Sequence, residues 1–75
     1  MPRPVKRSFS IKGHRTSISL EEPFWTALQE AAAEQGVPSA ALVQRIDETR
    51  GQTGLSSAVR VWLFAYARAK AHGGG

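Results

Sequence analysis

No cysteine occurs in the 75-residue chain, so neither disulfide bridges nor thiolate metal sites can stabilise it. The longest apolar run, Val61–Ala67, is far shorter than the roughly 20 residues that a membrane-spanning helix needs. No segment resembles a signal peptide. A chain of this size buries only about 60% of the surface of its unfolded form, which makes a single copy marginally stable. We therefore expect one small, soluble, cytoplasmic domain that gains core area from a second copy of itself.

The sequence also has no arrangement of residues typical of a catalytic or metal site. The two histidines, His14 and His72, lie far apart and have no acid at ligand spacing. The glycine-containing loop at 50–54 lacks the lysine and the spacing of a phosphate-binding loop. The adjacent acids Glu21 and Glu22 are explained by the favourable dipole at the start of a helix. These features predict a protein that is not an enzyme and needs no metal or cofactor.

The positive charge is concentrated at the N-terminus. Residues 1–15 contain five cations and no acid, whereas the remaining 60 contain five cations and six acids, so charges of +5 and −1 make up the net +4. This asymmetry indicates a polyanionic partner, with double-stranded DNA as the first candidate. The alternative is a solvated basic tail that contributes only to solubility. The five N-terminal cations are Arg3, Lys6, Arg7, Lys12 and Arg15.

The first 20 residues alternate between polar and apolar side chains over 6–12 and 15–20, which is typical of half-buried β-strands. Gly13–His14 predicts a turn between them, and the proline-containing residues 1–5 predict a flexible arm. After Leu20 the apolar residues recur every three to four positions, which is the spacing of a helix. Helices are predicted over 21–35, from 38 to 47–49, and over 56–70, with a flexible tail at 73–75.

The predicted helices carry end signals and apolar faces. Ser19 and Glu22 have the spacing of a capping box, and Gly36 predicts a left-handed end to the first helix. Asp47 lies near the end of the second helix, where acids are disfavoured, so we expect a compensating cation. The candidates for that cation are Arg50, Arg60 and a residue of a partner chain. The apolar stripe of the first helix consists of Phe24, Leu28, Ala31 and Ala32, with Trp25 beside it.

The third predicted helix is apolar almost all round. Nine of the ten residues at 58–67 are apolar or aromatic, and Arg60 is the exception. One side can pack on the other helices, whereas the opposite side needs a partner, which again indicates a dimer. We expect Trp62, Phe64 and Tyr66 to lie in the core, and the alternative is that they contact another protein.

These elements together resemble the ribbon-helix-helix family of bacterial DNA-binding proteins. The resemblance covers about 15–49 and rests on the strand Thr16–Leu20, the Gly36 turn and apolar helix positions. Those positions are Phe24, Leu28, Ala32, Leu42, Val43 and Ile46. The resemblance implies a mainly α fold with a short β segment, in which two chains form an intertwined homodimer through an intermolecular antiparallel β-ribbon.

The chain then divides into four parts. Residues 1–14 form a basic N-terminal arm or a first hairpin strand, and 15–49 form the ribbon-helix-helix core. Residues 50–72 form a loop and an additional C-terminal helix, and 73–75 form the tail.

Residues 6–20 admit two arrangements. A strand at 15–20 leaves its backbone groups unpaired, so it is completed either by its two-fold mate or by an intrachain hairpin. In a hairpin that turns at Gly13–His14, Phe9 faces Ile18. A dimer of such hairpins has a four-stranded sheet, which is too wide to enter the major groove as a ribbon.

The resemblance also implies the contacts with DNA. Because side chains alternate along a strand, the residues that read base edges lie on one face, and they are Arg15, Ser17 and Ser19. Phosphate contacts are assigned to Lys6, Arg7, Lys12 and His14, and to Ser39 and Ala40 at the start of the second helix. Pro38 lacks an amide donor at that site. A helix cap is the alternative role of Ser39.

The predicted dimer interface consists of Ile18, Leu20, Leu42, Val43, Ile46, Val59, Trp62, Leu63 and Tyr66. The expected function is that of a sequence-preferring transcriptional regulator, a repressor, that inserts a dimeric β-ribbon in the major groove of double-stranded DNA. The alternative is a dimeric protein-interaction module that uses its basic arm or C-terminal helix to bind a protein. Higher-order assembly on DNA is compatible with the first of these functions.

Overall fold

The computed structural model of the chain describes residues 3–73, which form a β-hairpin followed by three helices. The strands are β1 (Val5–Ile11) and β2 (His14–Leu20), and the helices are α1 (Glu22–Gln35), α2 (Ser39–Thr49) and α3 (Leu55–Gly73). The ribbon-helix-helix-like architecture predicted from the sequence is confirmed. The first two residues of the predicted arm and the last two of the predicted tail lie outside the described range.

The hairpin settles the choice between the two arrangements of residues 6–20, because β1 and β2 pair antiparallel within one chain. The turn is formed by Lys12 and Gly13, whose φ angles of 53° and 78° are the positive values that a type I′ turn requires. The predicted turn at Gly13–His14 is therefore wrong by one residue, and Phe9 faces Thr16.

A charge argument explains the observed register. A turn at Gly13–His14 sets Lys12 directly opposite Arg15, which is an unfavourable pair of like charges. In the structure Arg15 faces Ser10, and Lys12 places its Nζ 3.1 Å from Oε2 of Glu48. The hairpin thereby avoids a repulsive cross-strand contact.

One face of the hairpin closes over the helices. Ile18 and Leu20 are fully buried, and Phe9 stacks on Trp25 with ring centroids 5.8 Å apart. The indole nitrogen of Trp25 donates a hydrogen bond to the carbonyl oxygen of Val5 at 2.9 Å. Because β1 completes one edge of β2, the strand does not require a second copy for that pairing.

The start of α1 differs from the prediction. Its N-cap is Glu21, without a side-chain capping bond, whereas Ser19 lies inside β2. The predicted capping box of Ser19 is therefore wrong, because the strand continues to Leu20 and Ser19 lies within it, opposite Lys6. At the other end, Gly36 adopts the predicted left-handed conformation with a φ of 70°.

The other two helices follow the prediction closely. The α2 helix buries three apolar residues on one face, and Arg50 at its C-cap binds Asp47, with 2.6 Å between Nε and Oδ1, which identifies the expected compensating cation. The α3 helix extends three residues beyond the predicted end at residue 70. Within residues 3–73, no helix has both the length and the apolar character to cross a membrane.

The core of a single chain already contains most of the residues predicted for a dimer interface. Seven of those nine are buried: Ile18, Leu20, Leu42, Val43, Ile46, Val59 and Leu63. The other two, Trp62 and Tyr66, are partly buried and stack with ring centroids 5.0 Å apart. Burial of these side chains therefore does not require a partner, and their part in a dimer stays a prediction. Phe64, expected in the core, is 62% exposed.

The hairpin turn generates a first prediction. We expect Gly13→Ala to lower the free energy of unfolding by about 1 kcal/mol, because alanine adopts a positive φ at a cost. A Cβ at this position meets no atom within 4 Å, so the loss is conformational rather than steric. Urea unfolding of both chains measures the difference. Gly13→Asn is the matched control and loses less, since asparagine tolerates the left-handed region; equal stability of the alanine variant and the wild type would contradict this turn.

Candidate nucleic-acid interface

The hairpin face that points away from the core forms the candidate site, and we call it the outer face. Strand alternation places on it Lys6, Ser8 and Ser10 of β1 and Arg15, Ser17 and Ser19 of β2. Across the ladder, Lys6 faces Ser19, Ser8 faces Ser17, and Ser10 faces Arg15. All of these residues are exposed except Ser19, which is half-buried. The outer face therefore offers two cations and four hydroxyls, and no acid.

The predicted base-reading residues are brought together by this geometry. Arg15, Ser17 and Ser19 alternate along one strand, as their spacing predicted. A guanidinium can bind guanine O6 and N7 bidentately, and a serine hydroxyl can donate or accept a hydrogen bond. A two-stranded ribbon also has the width that the major groove admits.

The end of the ribbon is fixed by α3. Ser56 accepts a hydrogen bond from the backbone N–H of Ser19 at 3.0 Å, and Arg60 donates to the carbonyl oxygen of Ser19 at 3.0 Å. The same guanidinium binds both carboxylate oxygens of Glu21, at 3.0 and 3.3 Å. The hydrogen bond from Arg60 is the main reason that the pKa of Glu21 is lowered from its ordinary value.

The cations predicted to contact phosphates occupy different settings. Lys6 lies on the outer face, whereas Arg7 lies on the opposite face with its guanidinium 4.9 Å from the Trp25 ring centroid. An Nη2–Oε1 distance of 4.0 Å also brings Arg7 close to Glu22. The ion pairs of Arg7 and Lys12 are solvent-exposed, so they contribute little and leave both cations accessible.

A cleft beside the turn gathers additional positive charge. Its volume is about 250 Å³, and it lies between the hairpin, the end of α2 and the loop that follows. Arg50 joins the predicted contacts here, although its ion pair with Asp47 offsets part of the charge. The basic residues that line the cleft are Lys12, His14, Arg15 and Arg50.

The start of α2 offers free backbone amides. Pro38 is the N-cap, and its carbonyl oxygen accepts hydrogen bonds from the amides of Ala41 and Leu42 at 3.0 and 3.2 Å. Ser39 and Ala40 are therefore the first two helical residues, where amides have no partner inside the helix. The capping alternative for Ser39 is wrong, because no side chain caps this helix. Because Pro38 precedes the helix as its N-cap, its lack of a backbone N–H leaves the amides of Ser39 and Ala40 in place.

Sequence reasoning did not assign the serines of β1 to the site. Ser8 and Ser10 are polar positions of the alternation predicted at 6–12, and the hairpin sets them beside Ser17 and Arg15. The available signal was a short repeat, in which a cation is followed by serines two and four residues later at both 6–10 and 15–19. The anchoring role of Ser56 was also missed, and nothing in the sequence pattern indicated it.

A second cluster of shifted pKa values lies between α1 and α3. Hydrogen bonds from Lys70 and Tyr66 lower the pKa of Glu34, and the bond from Tyr66 to Glu34, 2.6 Å long, raises the pKa of Tyr66. These contacts join two helices, which accounts for them without a reaction. Among the described residues, no cluster of potential ligands could hold a metal ion.

The fold and the basic hairpin are those of a small DNA-binding class of domain, and a comparison with known families agrees with this. A family model described as a ribbon-helix-helix domain matches residues 4–67, and the chain belongs to this family. Its members are generally DNA-binding transcription regulators that form dimers, and the domain is a non-enzymatic fold.

Comparison with solved structures adds a similar chain, an uncharacterized protein from Bordetella pertussis Tohama I. The two are 31% identical, with a TM-score of 0.80 over 93% of the present chain. The match spans only 60% of the Bordetella protein. No curated protein matches the sequence.

The Arg60 contacts generate a second prediction. Because the pKa of Glu21 is lowered in the folded chain, its charge stabilises the fold above the ordinary carboxyl range, and this contribution is lost as the pH falls through the lowered value. We expect Glu21→Gln to be less stable than the wild type at neutral pH and the difference to shrink in acid. Urea unfolding at both pH values tests this. In an Arg60→Gln background the same substitution has little effect; an unchanged effect there would assign the stabilisation to another partner.

Proposed function

We propose that this chain is a sequence-preferring, double-stranded-DNA-binding transcriptional regulator that lays the outer face of its hairpin in the major groove. The observation that carries the proposal is the composition of that face: exposed cations and hydroxyls on a two-stranded ribbon, with no acid. A ribbon of this kind brings hydrogen-bonding groups to the base edges, where sequence is read.

Each predicted contact has a physical role in this proposal. Arg15 binds a guanine edge, and the hydroxyls of Ser17 and Ser19 add weaker, less selective hydrogen bonds. Phosphates are held by the free amides of Ser39 and Ala40 and by the basic side chains of Lys6, Arg7, Lys12 and His14. The N-terminal cations also release counterions from DNA, which gives affinity for any sequence and makes binding dependent on salt.

Repression is the regulatory outcome included in this proposal, because a protein seated in the groove of an operator obstructs other proteins there. The proposal also places the chain in the cytoplasm and gives it no catalytic role. Membership of a non-enzymatic DNA-binding family supports the last point.

The test is a binding titration with duplexes selected by the wild-type protein from a random library. We expect Arg15→Ala to lose about 1–3 kcal/mol on selected duplexes, to lose less on random duplexes, and to relax the preference at one base pair. Arg68→Ala is the matched control, because Arg68 is an exposed cation near the end of α3, away from the hairpin.

Titrations at several salt concentrations separate base reading from phosphate contact. Equal losses of Arg15→Ala on selected and random duplexes would remove Arg15 from base reading. No binding of the wild type to any duplex at low salt would remove the DNA-binding function altogether.

A second candidate function has one observation in its favour. Val61 and Phe64 on α3 are 66% and 62% exposed, and their spacing of three residues makes them neighbours on the helix surface, which favours contact with a protein. The chain would then be an interaction module that has kept the fold. Wild-type protein that gives no mobility shift with random duplex at micromolar concentration and low salt favours this second function.

A further inference from the structure

The hairpin contains an internal repeat. The strand sequences VKRSFSI and HRTSISL carry the same side-chain type at five of seven positions when shifted by nine residues, and the exceptions are Val5 against His14 and Arg7 against Thr16. Lys6 corresponds to Arg15, Ser8 to Ser17, and Ser10 to Ser19; the apolar positions correspond as well. The two strands therefore present the same order of side-chain types: a cation followed by two hydroxyls.

The register of the ladder turns this repeat into an approximate two-fold symmetry. Ser8 pairs with Ser17 at the centre, and Lys6 and Arg15 lie at opposite ends of the outer face, across from Ser19 and Ser10. A half-turn about an axis through the central pair, perpendicular to the sheet, exchanges the strands and places each cation on the other. The symmetry axis thus passes through the middle of the exposed surface.

We propose that each chain carries its own complete DNA-reading ribbon, whose approximate two-fold symmetry matches a short quasi-palindromic site. This inference rests on the proposed DNA-binding function. It assigns Lys6, Ser8 and Ser10 to base edges, as counterparts of Arg15, Ser17 and Ser19, and it moves Lys6 from the phosphate contacts to the base contacts.

The chemistry of the two cations supports this assignment. Lysine and arginine both bind the O6 and N7 acceptors of guanine. Neither Lys6 nor Arg15 forms an ion pair among the described residues, so both cations are available. The four hydroxyls between them tolerate several bases, so the site is defined mainly by its two ends.

The dimensions of the ribbon set the spacing of the site. Lys6 and Arg15 are separated along the strands by the four residues from Lys6 to Ser10, which correspond to about 14 Å at roughly 3.4 Å per residue. The rise of B-DNA is also about 3.4 Å per step. A ribbon that follows the groove therefore contacts two guanines, on opposite strands, about four base-pair steps apart.

The free edge of β2 supports a ribbon made by one chain. At Ser19 this edge is occupied by Ser56 and by Arg60, so a strand from a second copy cannot continue the ladder past that point. The other edge of β2 is covered by β1. A second copy that pairs with β2 has to displace β1 or stop short of Ser19, and two chains that keep their hairpins carry two ribbons.

The test compares Lys6→Ala with Arg15→Ala on every single-base-pair variant of the selected duplex. We expect each variant to lose about tenfold discrimination at one base pair, with the two positions related by the symmetry of the site and about four steps apart. The matched control is Arg3→Ala, which removes the same charge from the same segment but outside the strands, and it weakens all duplexes alike. A uniform loss for Lys6→Ala, as for Arg3→Ala, would overturn the proposal.

A second measurement tests the ribbon itself. Native mass spectrometry on a duplex that contains one selected site is expected to show one chain per site. A strict requirement for two chains on that single site would show a shared ribbon and overturn the proposal while leaving DNA binding intact. Failure of the wild type to bind any duplex would overturn both, and circular dichroism confirms that the variants are folded.

Discussion

The guanidinium of Arg60 holds together the three elements on which the surface of the molecule depends. It donates hydrogen bonds to the carbonyl oxygen of Ser19 near the end of β2 and to the carboxylate of Glu21, the N-cap of α1. Ser56, from the same helix as Arg60, accepts a hydrogen bond from the backbone N–H of Ser19. Without these bonds, the end of the hairpin is free to move relative to the helices, and the inner apolar residues lose their fixed cover. A single charged residue in an otherwise apolar stretch of α3 therefore sets where the ribbon lies, although it does not lie on the outer face itself.

The alternation of side chains along a strand links the packing of the core to the composition of the outer face. Ile18 and Leu20 are fully buried, and in a strand the residues between and beside them must then point outward. The hydrophobic core thus determines which side chains of β1 and β2 reach solvent, and a slip of one residue would exchange the two faces completely. Because the outward set contains only cations and hydroxyls, the same constraint that stabilises the fold also presents a surface suited to DNA.

Most of the architecture is predictable from the sequence because each helix carries its own period and end signals. Gly36 ends α1 as predicted, and the alternation at 15–20 gives the correct inner face. The turn is not predictable in the same way, since Lys12 occupies a positive φ that its residue type disfavours and that only the cross-strand charges and Glu48 explain. The cap of α1 was misplaced for a related reason: Ser19 has the right chemistry for a cap, but the strand extends through it. The outer-face role of Ser8 depends on a hairpin whose existence the pattern alone left open.

Core formation within one chain changes what a second copy has to supply. The expectation of a shared core followed from the small size of the domain, yet the buried cluster is built from hairpin and helices of the same chain, with Ile11 and Trp25 closing its sides. Core formation therefore leaves other surfaces free for a dimer contact, and Val61 and Phe64 on α3 are the large apolar side chains that are exposed among the described residues. In most ribbon-helix-helix proteins the ribbon itself is the reason for dimerisation. In this chain β1 pairs with β2, so the ladder is completed by a strand of the same chain and does not itself require a second copy.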